Sequence, residues 1–198
     1  MDISFDKLIN IFLDNRVGVC DNFLSPELSS GLRRNVESLY NQKKLRLAGI
    51  GNGDLSVINQ NVRNDKIFWL DRNNPRDFEQ ELFTLIDSFV IYLNRTCFTG
   101  IKSYEFHYTL YEKGAYYKKH IDQFKTDQGR AFSMIMYLNE DWIKKDSGEL
   151  KVYKETEVQF ISPNDKRCVF FKSDELTHEV LVTNKSRISV TGWLKTIE

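Results

Sequence analysis

The sequence contains few cysteines and few histidines. The three cysteines are Cys20, Cys97 and Cys168. No CxxC spacing connects them, so neither a disulfide framework nor a zinc ribbon is expected, and a reducing, cytoplasmic location is predicted. The three histidines are His107, His120 and His178. A metal site that uses imidazole must therefore be built from these three residues.

An excess of charge of either sign is also lacking, because 28 Lys and Arg balance 28 Asp and Glu. Such a balance argues against a nucleic-acid partner and against an acidic solvating protein. No apolar run approaches the roughly 18 residues that a membrane span needs. The first ten residues include two aspartates and lack a basic n-region, so no secretory signal is expected.

The composition is that of a folded chain, and we predict one domain over residues 1–198. Hydrophobic residues make up 41% of the sequence and aromatic residues 13%, which excludes disorder as the main state. Residues 1–95 are predicted to be mainly helical support. Helix starts are expected at three places, where a cap residue or a proline precedes an apolar stripe: Ser4, Ser25-Pro26 and Asn74-Pro75.

A segment rich in glycine and turn residues interrupts the helical half near residues 48–64. This composition favours a mobile loop or a two-stranded finger, with an ordinary surface loop as the alternative.

Residues 96–198 are predicted to form a β-rich core. Five segments have strand composition: Tyr104–Tyr111, Ala131–Leu138, Leu150–Tyr153, Arg167–Lys172 and Arg187–Leu194. Helices followed by many strands with turn signals predict an α+β fold with an antiparallel sandwich or barrel.

The triplet His120-Ile121-Asp122 carries the first sign of chemistry. Residues i and i+2 of a strand point to the same face, so His120 and Asp122 can reach one metal ion. His178 could supply a third ligand from another strand. Two imidazoles and one carboxylate form the facial triad of non-haem Fe(II) oxygenases. The competing interpretation of the triplet is a pair of polar surface residues.

Arg187, nine positions after His178, strengthens the metal hypothesis. Its planar guanidinium can bind a carboxylate through two parallel hydrogen bonds, as the distal carboxylate of 2-oxoglutarate requires. In the predicted last strand, one face carries Arg187, Ser189, Thr191 and Trp193, and the other carries Ile188, Val190 and Leu194. The first face can line a polar pocket, or it can simply face solvent.

Several longer stretches resemble the 2-oxoglutarate- and Fe(II)-dependent oxygenases, and specifically the Egl-nine-like prolyl hydroxylase domain family. They span roughly residues 60–194, and RNDKIFW and YLNEDW are the most specific. The matching stretches are Val62–Leu70, Tyr137–Trp142, Ser147-Gly148, Phe170–Asp174, His178–Val180 and Arg187–Trp193.

The resemblance implies a double-stranded β-helix (a jelly-roll or cupin-like core) and a set of site residues. His120, Asp122 and His178 would bind iron. Arg187 and Tyr137 would bind the distal carboxylate of 2-oxoglutarate, with Thr191 beside them. Tyr111 would lie near the carboxylate that chelates the metal, although the chain from Tyr111 to His120 is one residue shorter than in the animal enzymes. Trp193 would line the pocket floor.

The implied activity is prolyl 4-hydroxylation of a protein, with O2 as oxidant and ascorbate as a supporting reductant. By analogy with bacterial relatives, a translation factor is the expected target. The alternatives are an oxygenase for a free amino acid or small metabolite, and a non-catalytic binding module on the same fold.

Two further features have no assigned role in the motif. His107 is predicted to be a polar side chain on a strand rather than a metal ligand. The basic residues Lys118, Lys119, Lys125 and Arg130 are predicted to form a solvated edge, with positioning of a substrate peptide as the alternative.

Overall fold

The computed structural model describes residues 2–49, 57–123 and 129–197. Within these ranges lie three α-helices: α1 (Asp2–Asn15), α2 (Pro26–Asn41) and α3 (Glu79–Thr96). None of the described helices combines the length and the apolar character that crossing a membrane requires.

The start of α2 is confirmed as predicted. The Ser25 side chain accepts a hydrogen bond from the Leu28 amide at 3.1 Å, and Pro26 occupies the first helical position. The predicted start of α1 after Ser4 is wrong, because that helix already begins at Asp2.

The predicted start of α3 at Asn74-Pro75 is also wrong. The helix begins at Glu79, after Phe78 in a left-handed conformation with φ of 66°. The Phe78 ring lies against Gly31 of α2, where a β-carbon would come within 2.2 Å of it. The helix therefore does not begin at the local cap signal, and the residue before it packs against a distant helix.

The strands form two antiparallel sheets. Their bounds are β1 (Val17–Cys20), β2 (Arg46–Leu47), β3 (Lys66–Trp69), β4 (Ser103–Tyr111), β5 (Tyr117–His120), β6 (Arg130–Tyr137), β7 (Leu150–Tyr153), β8 (Val158–Ile161), β9 (Cys168–Lys172), β10 (Thr177–Val180) and β11 (Arg187–Lys195). The main sheet has the order β1-β9-β6-β11-β4-β3-β2, and the smaller sheet has the order β5-β10-β7-β8.

The five predicted strands are confirmed as β4, β6, β7, β9 and β11. The other strands are only two to four residues long. Strands were expected at His120 and His178, where β5 and β10 lie, but their bounds were not predicted, and the remaining short strands were not predicted at all. Three of them, β1 to β3, come from the half that was expected to be helical support, and they complete the main sheet.

The two faces of the main sheet have different partners. One face packs against the helices in a large apolar cluster that includes Val190 and Leu194 of β11. The other face turns toward the smaller sheet, where a second cluster includes Ile135, Val152 and Val180. The predicted two-faced character of β11 is therefore confirmed, and its Arg187 face lies between the sheets.

Part of the predicted loop at residues 48–64 lies outside the described residues, so its mobility and its closure over a substrate stay predictions. The described part consists of residues 48–49 and 57–64, and the second of these stretches runs beside β5. The Lys118 amide donates to the Val62 carbonyl at 2.9 Å, and the Asn64 amide donates to the Tyr116 carbonyl at 3.3 Å. The return of the segment is thereby attached to the strand that carries His120.

Candidate active site

Pairing of β5 with β10 brings the two predicted imidazole ligands together. His120 and His178 are direct antiparallel partners in the smaller sheet. Asp122 lies two residues beyond the end of β5, so the expectation that it shares a strand face with His120 is wrong in its detail. Its carboxylate still reaches the site, because Oδ1 lies 3.3 Å from His120 Nε2 and 3.7 Å from His178 Nε2.

Backbone carbonyls orient both rings. His120 Nδ1 donates to the Lys118 carbonyl at 2.8 Å, and His178 Nδ1 donates to the Leu176 carbonyl at 3.0 Å. A carbonyl can only accept, so Nδ1 of each ring carries a proton and Nε2 of each ring faces Asp122. Such outer contacts fix the tautomer that a metal ligand needs.

The Asp122 carboxylate is held by a serine pair beneath it. Ser133 Oγ donates to Asp122 Oδ2 at 2.6 Å, and Ser173 Oγ lies 2.9 Å from Ser133 Oγ. Oδ2 is thus engaged within the protein, while Oδ1 faces the two imidazoles.

The protonation states suit a cation. Burial opposes ionisation of Asp122, but the charge of His178 and the contacts from His120 and Ser133 outweigh it and lower the pKa of this carboxyl. Burial lowers the pKa of His178 to about 4, against the opposing effect of the Asp122 carboxylate. At neutral pH the site therefore presents a carboxylate together with a neutral imidazole.

Arg187 is a buried residue that lines the same cavity. The side chain is only 1% exposed, its Nε has no hydrogen-bond partner, and the described residues place no carboxylate in ion-pair distance. Its guanidinium carbon lies 4.9 Å from the ring centroids of both Tyr111 and Tyr137. A buried cation without an acidic partner is costly unless an anion from outside the chain binds there.

The remaining predicted residues either contact Arg187 or line the same cavity. The Tyr137 hydroxyl and the Trp193 indole nitrogen are buried without a hydrogen-bond partner among the described residues. Thr191 lines the cavity and its hydroxyl lies 3.1 Å from that of Ser189. Burial raises the pKa of Tyr137, so its hydroxyl keeps the proton and can donate it in a hydrogen bond.

Sequence reasoning assigned no role to one cationic and one aromatic group near the metal ligands. The Arg63 guanidinium lies 4.1 Å over the Tyr117 ring, and that ring stacks on His120 at a centroid distance of 3.5 Å. Arg63 also forms a buried bidentate pair with Asp65 at 2.6 and 2.8 Å. Both charged residues belong to the RNDKIFW stretch, so the motif contained the signal.

The predicted basic edge is only partly confirmed. Lys118 and Lys119 are exposed, and Lys125 lies outside the described residues. Arg130 is instead buried, with its guanidinium 3.5 Å over the Trp193 ring and in an ion pair with Glu105 at 2.7 Å. An arginine can stack on an indole and bind a carboxylate at once, which removes it from solvent.

Comparison with known proteins agrees with this geometry. The model of the 2OG-Fe(II) oxygenase superfamily matches residues 106–195, which include the His-Asp-His cluster and Arg187. Over this range the chain is similar to the 2OG-Fe(II) oxygenase superfamily. Enzymes of this superfamily use Fe(II), 2-oxoglutarate and O2, and the two facing sheets are their double-stranded β-helix.

Individual relatives within the superfamily cover most of this chain. Human Egl nine homolog 1 is 31% identical over 196 aligned positions, which cover 90% of this chain and 44% of that protein. The chain spans about half the length of the curated Egl nine homologs that it matches.

Two solved structures are also similar over nearly the whole chain. A Pseudomonas putida prolyl-4-hydroxylase superimposes with a TM-score of 0.88 at 26% identity, covering 98% of this chain and 100% of that chain. A Trichoplax adhaerens prolyl hydroxylase, in complex with a peptide fragment of hypoxia inducible factor, gives a TM-score of 0.85 at 26% identity, covering 97% and 89%.

The residues present fit both groups that the superfamily uses. The cluster of His120, Asp122 and His178 supplies two nitrogens and one oxygen within 4.8 Å of one another, as a facial Fe(II) site needs. Arg187 and the Tyr137 hydroxyl supply a buried cation and a donor without a partner, as a carboxylate needs.

The contact from Ser133 to Asp122 leads to a first prediction. Ser133→Ala removes the hydrogen bond that orients the carboxylate, and loss of such an outer contact typically lowers metal affinity by about 10- to 100-fold. Titration of the metal-free protein with Fe(II) or Mn(II) measures the change. Ser88→Ala on α3 is the control, since that hydroxyl only contacts its own helix. Unchanged metal affinity in Ser133→Ala would show that Asp122 needs no such support.

Proposed function

We propose that this chain is a 2-oxoglutarate- and Fe(II)-dependent prolyl 4-hydroxylase that acts on a protein substrate. One observation carries the proposal: the His-Asp-His cluster lines the same cavity as Arg187, a buried cation without a carboxylate partner among the described residues. The similarity to two prolyl hydroxylases over nearly the whole chain supports the choice of proline.

In the overall reaction, succinate and hydroxyproline each receive one of the two atoms of O2. One atom of O2 enters succinate as 2-oxoglutarate loses CO2, and the other becomes the hydroxyl group of hydroxyproline. Bound Fe(II) supplies the activation of O2 for this chemistry. The chain's contribution is to bind, orient and shield the reactants.

The binding role falls first on the three ligands. Nε2 of His120, Oδ1 of Asp122 and Nε2 of His178 would hold the iron from one side and leave the side toward the cavity open. Because the rings are held by backbone carbonyls and the carboxylate by Ser133, this donor set is preorganised before the metal arrives.

The residues around Arg187 would orient 2-oxoglutarate. Arg187 would bind the distal carboxylate, and the hydroxyls of Tyr137 and Thr191 would donate to the same group. A guanidinium fork fixes the direction of the carboxylate as well as its position. A molecule bound in this way would have its other end toward His120, Asp122 and His178.

The cavity mouth favours a proline within a peptide over a free amino acid. Trp69 and Ile121 line the cavity and remain 47% and 42% exposed, so they offer an apolar rim for a small ring. The free amino group of an amino acid would need a carboxylate partner. Among the described lining residues, the only acidic side chain is Asp122, which serves as a proposed metal ligand.

Mass spectrometry tests the proposal directly. Purified protein, Fe(II), 2-oxoglutarate and ascorbate are incubated with proline-containing peptides, with free L-proline and with other free amino acids. We expect one added oxygen atom on a peptidyl proline, formed together with succinate. His178→Ala is the inactive control. Oxidation of a free amino acid alone would instead support the small-metabolite oxygenase, and 2-oxoglutarate binding without any turnover would support the binding module.

Three finer features stay predictions drawn from the sequence and its family resemblance. They are a translation factor as the target, a benefit from ascorbate and a cytoplasmic location. Substrate capture with the catalytically inactive protein, followed by mapping of the hydroxylated residue, tests the first of these.

A further inference from the structure

His107 is a third histidine in the cavity, although it has no place in the recognised motif. It lies on β4, is 3% exposed, and lines the same cavity as Arg187 and Thr191. Thr191 is its direct partner across the β4–β11 pair. The metal-ligand cluster found among the described residues does not include it. His107 therefore borders the proposed binding site of the 2-oxo acid and is not one of the proposed metal ligands.

The ring is held rigidly. It lies between Trp69, at a centroid distance of 4.9 Å, and Trp193, at 5.6 Å. Its Nδ1 lies 3.0 Å from the Thr109 hydroxyl and 3.2 Å from the Tyr108 carbonyl. Both of these contacts are at Nδ1, and Nε2 makes no hydrogen bond among the described residues; the ring borders the cavity.

The contacts at Nδ1 determine which ring nitrogen carries the proton, and they make Nε2–H a hydrogen-bond donor. Nδ1 has two neighbours of opposite demand: the Tyr108 carbonyl at 3.2 Å can only accept, whereas the Thr109 hydroxyl at 3.0 Å can donate. The hydroxyl is the nearer of the two, and its donation to Nδ1 places the ring proton on Nε2. Burial lowers the pKa of His107 to about 4, with Arg63 and Arg130 adding to the effect and Asp65 opposing it. The ring is thus neutral at pH 7, and an N–H group in a cationic cavity is suited to an anionic ligand.

We propose that Nε2–H of His107 donates a hydrogen bond to a carboxylate of the bound 2-oxo acid, so that His107 is a cosubstrate-binding residue. This inference rests on the proposed function in so far as it takes 2-oxoglutarate as the ligand of the cavity. It does not depend on proline being the group that is hydroxylated.

Binding without turnover tests the proposal. Protein loaded with Mn(II) is titrated with 2-oxoglutarate by calorimetry in the wild type, His107→Leu and His107→Gln. Leucine lacks the donor, and the loss of a hydrogen bond to a charged group should weaken 2-oxoglutarate binding by about 10- to 100-fold. Glutamine keeps an N–H donor and should retain most of the affinity. Mn(II) affinity and melting temperature should match the wild type in both variants.

Three results would overturn the proposal. Wild-type affinity of His107→Leu for 2-oxoglutarate would show that no such bond forms. Equal losses in both variants, accompanied by lower Mn(II) affinity and melting temperature, would show a structural role. If only the Michaelis constant for the peptide rose, His107 would contact the peptide substrate and not 2-oxoglutarate. If 2-oxoglutarate binds as expected but no proline is hydroxylated, the proposed function fails while the His107 result stands.

Discussion

Asp122→Ala is expected to abolish metal binding at the site and to reduce succinate formation to background. Asp122 is the anionic member of the cluster, and the remaining imidazoles His120 and His178 cannot hold a divalent cation in a facial geometry by themselves. Metal titration and succinate assays measure the effect. Asp174→Ala is the matched control, because Asp174 is exposed and close in sequence to His178.

His178→Ala should behave like Asp122→Ala, whereas Asp174→Ala should bind metal normally. Near-normal turnover with iron in either cluster variant would remove the proposed metal site. A general collapse of the fold would also lower the turnover, so melting temperatures of the metal-free proteins are compared. They should change much less than the metal affinity does.

Arg187→Lys is expected to weaken 2-oxoglutarate binding by about 10- to 100-fold, because lysine keeps the charge but loses the planar fork. Arg187→Ala should cost more, since a ligand carboxylate would then be buried without a counter-charge, which costs about 3–5 kcal/mol. Calorimetry with Mn(II)-loaded protein and the Michaelis constant for 2-oxoglutarate measure both effects. Metal affinity should hardly change, because Arg187 is not among the proposed ligands.

Arg72→Lys provides the control for this pair of variants. Arg72 forms an exposed ion pair with Asp87, away from the cavity, and its replacement should leave 2-oxoglutarate binding intact. A structural role for Arg187 predicts a different pattern. Both Arg187 variants would then lose thermal stability without a selective change in 2-oxoglutarate affinity.

The parts of the molecule that could be predicted depend on short-range patterns. The alternation along β11 identified which residues face the cavity, because a strand has a period of two and each of its faces meets a different environment. The cap at Ser25-Pro26 is likewise local, and α2 begins where it indicates. Family motifs then indicated which widely separated residues belong together.

The parts that could not be predicted depend on contacts between distant segments. Short strands such as β5 and β10 have few residues in which a pattern can appear, and their existence follows from pairing. The helix α3 begins at Glu79, after Phe78, whose ring packs on Gly31 of the distant helix α2. Arg130 is buried because it finds both Trp193 and Glu105, and neither is near it in sequence. From the sequence, His107 is indistinguishable from an ordinary polar residue on a strand. Only the pairing of β4 with β3 and β11 shows that it lies between Trp69 and Trp193.

The pairing of His120 with His178 also has a consequence for the order of folding. The two residues are neighbours in the smaller sheet, yet strands β6 to β9 separate them along the chain. Closing so long a loop is entropically unfavourable, and non-local pairings of this kind slow the folding of β-rich domains. No local segment of the nascent chain contains both imidazoles, so tight metal capture must wait until β5 meets β10. The appearance of metal affinity during refolding would therefore time the closure of the smaller sheet.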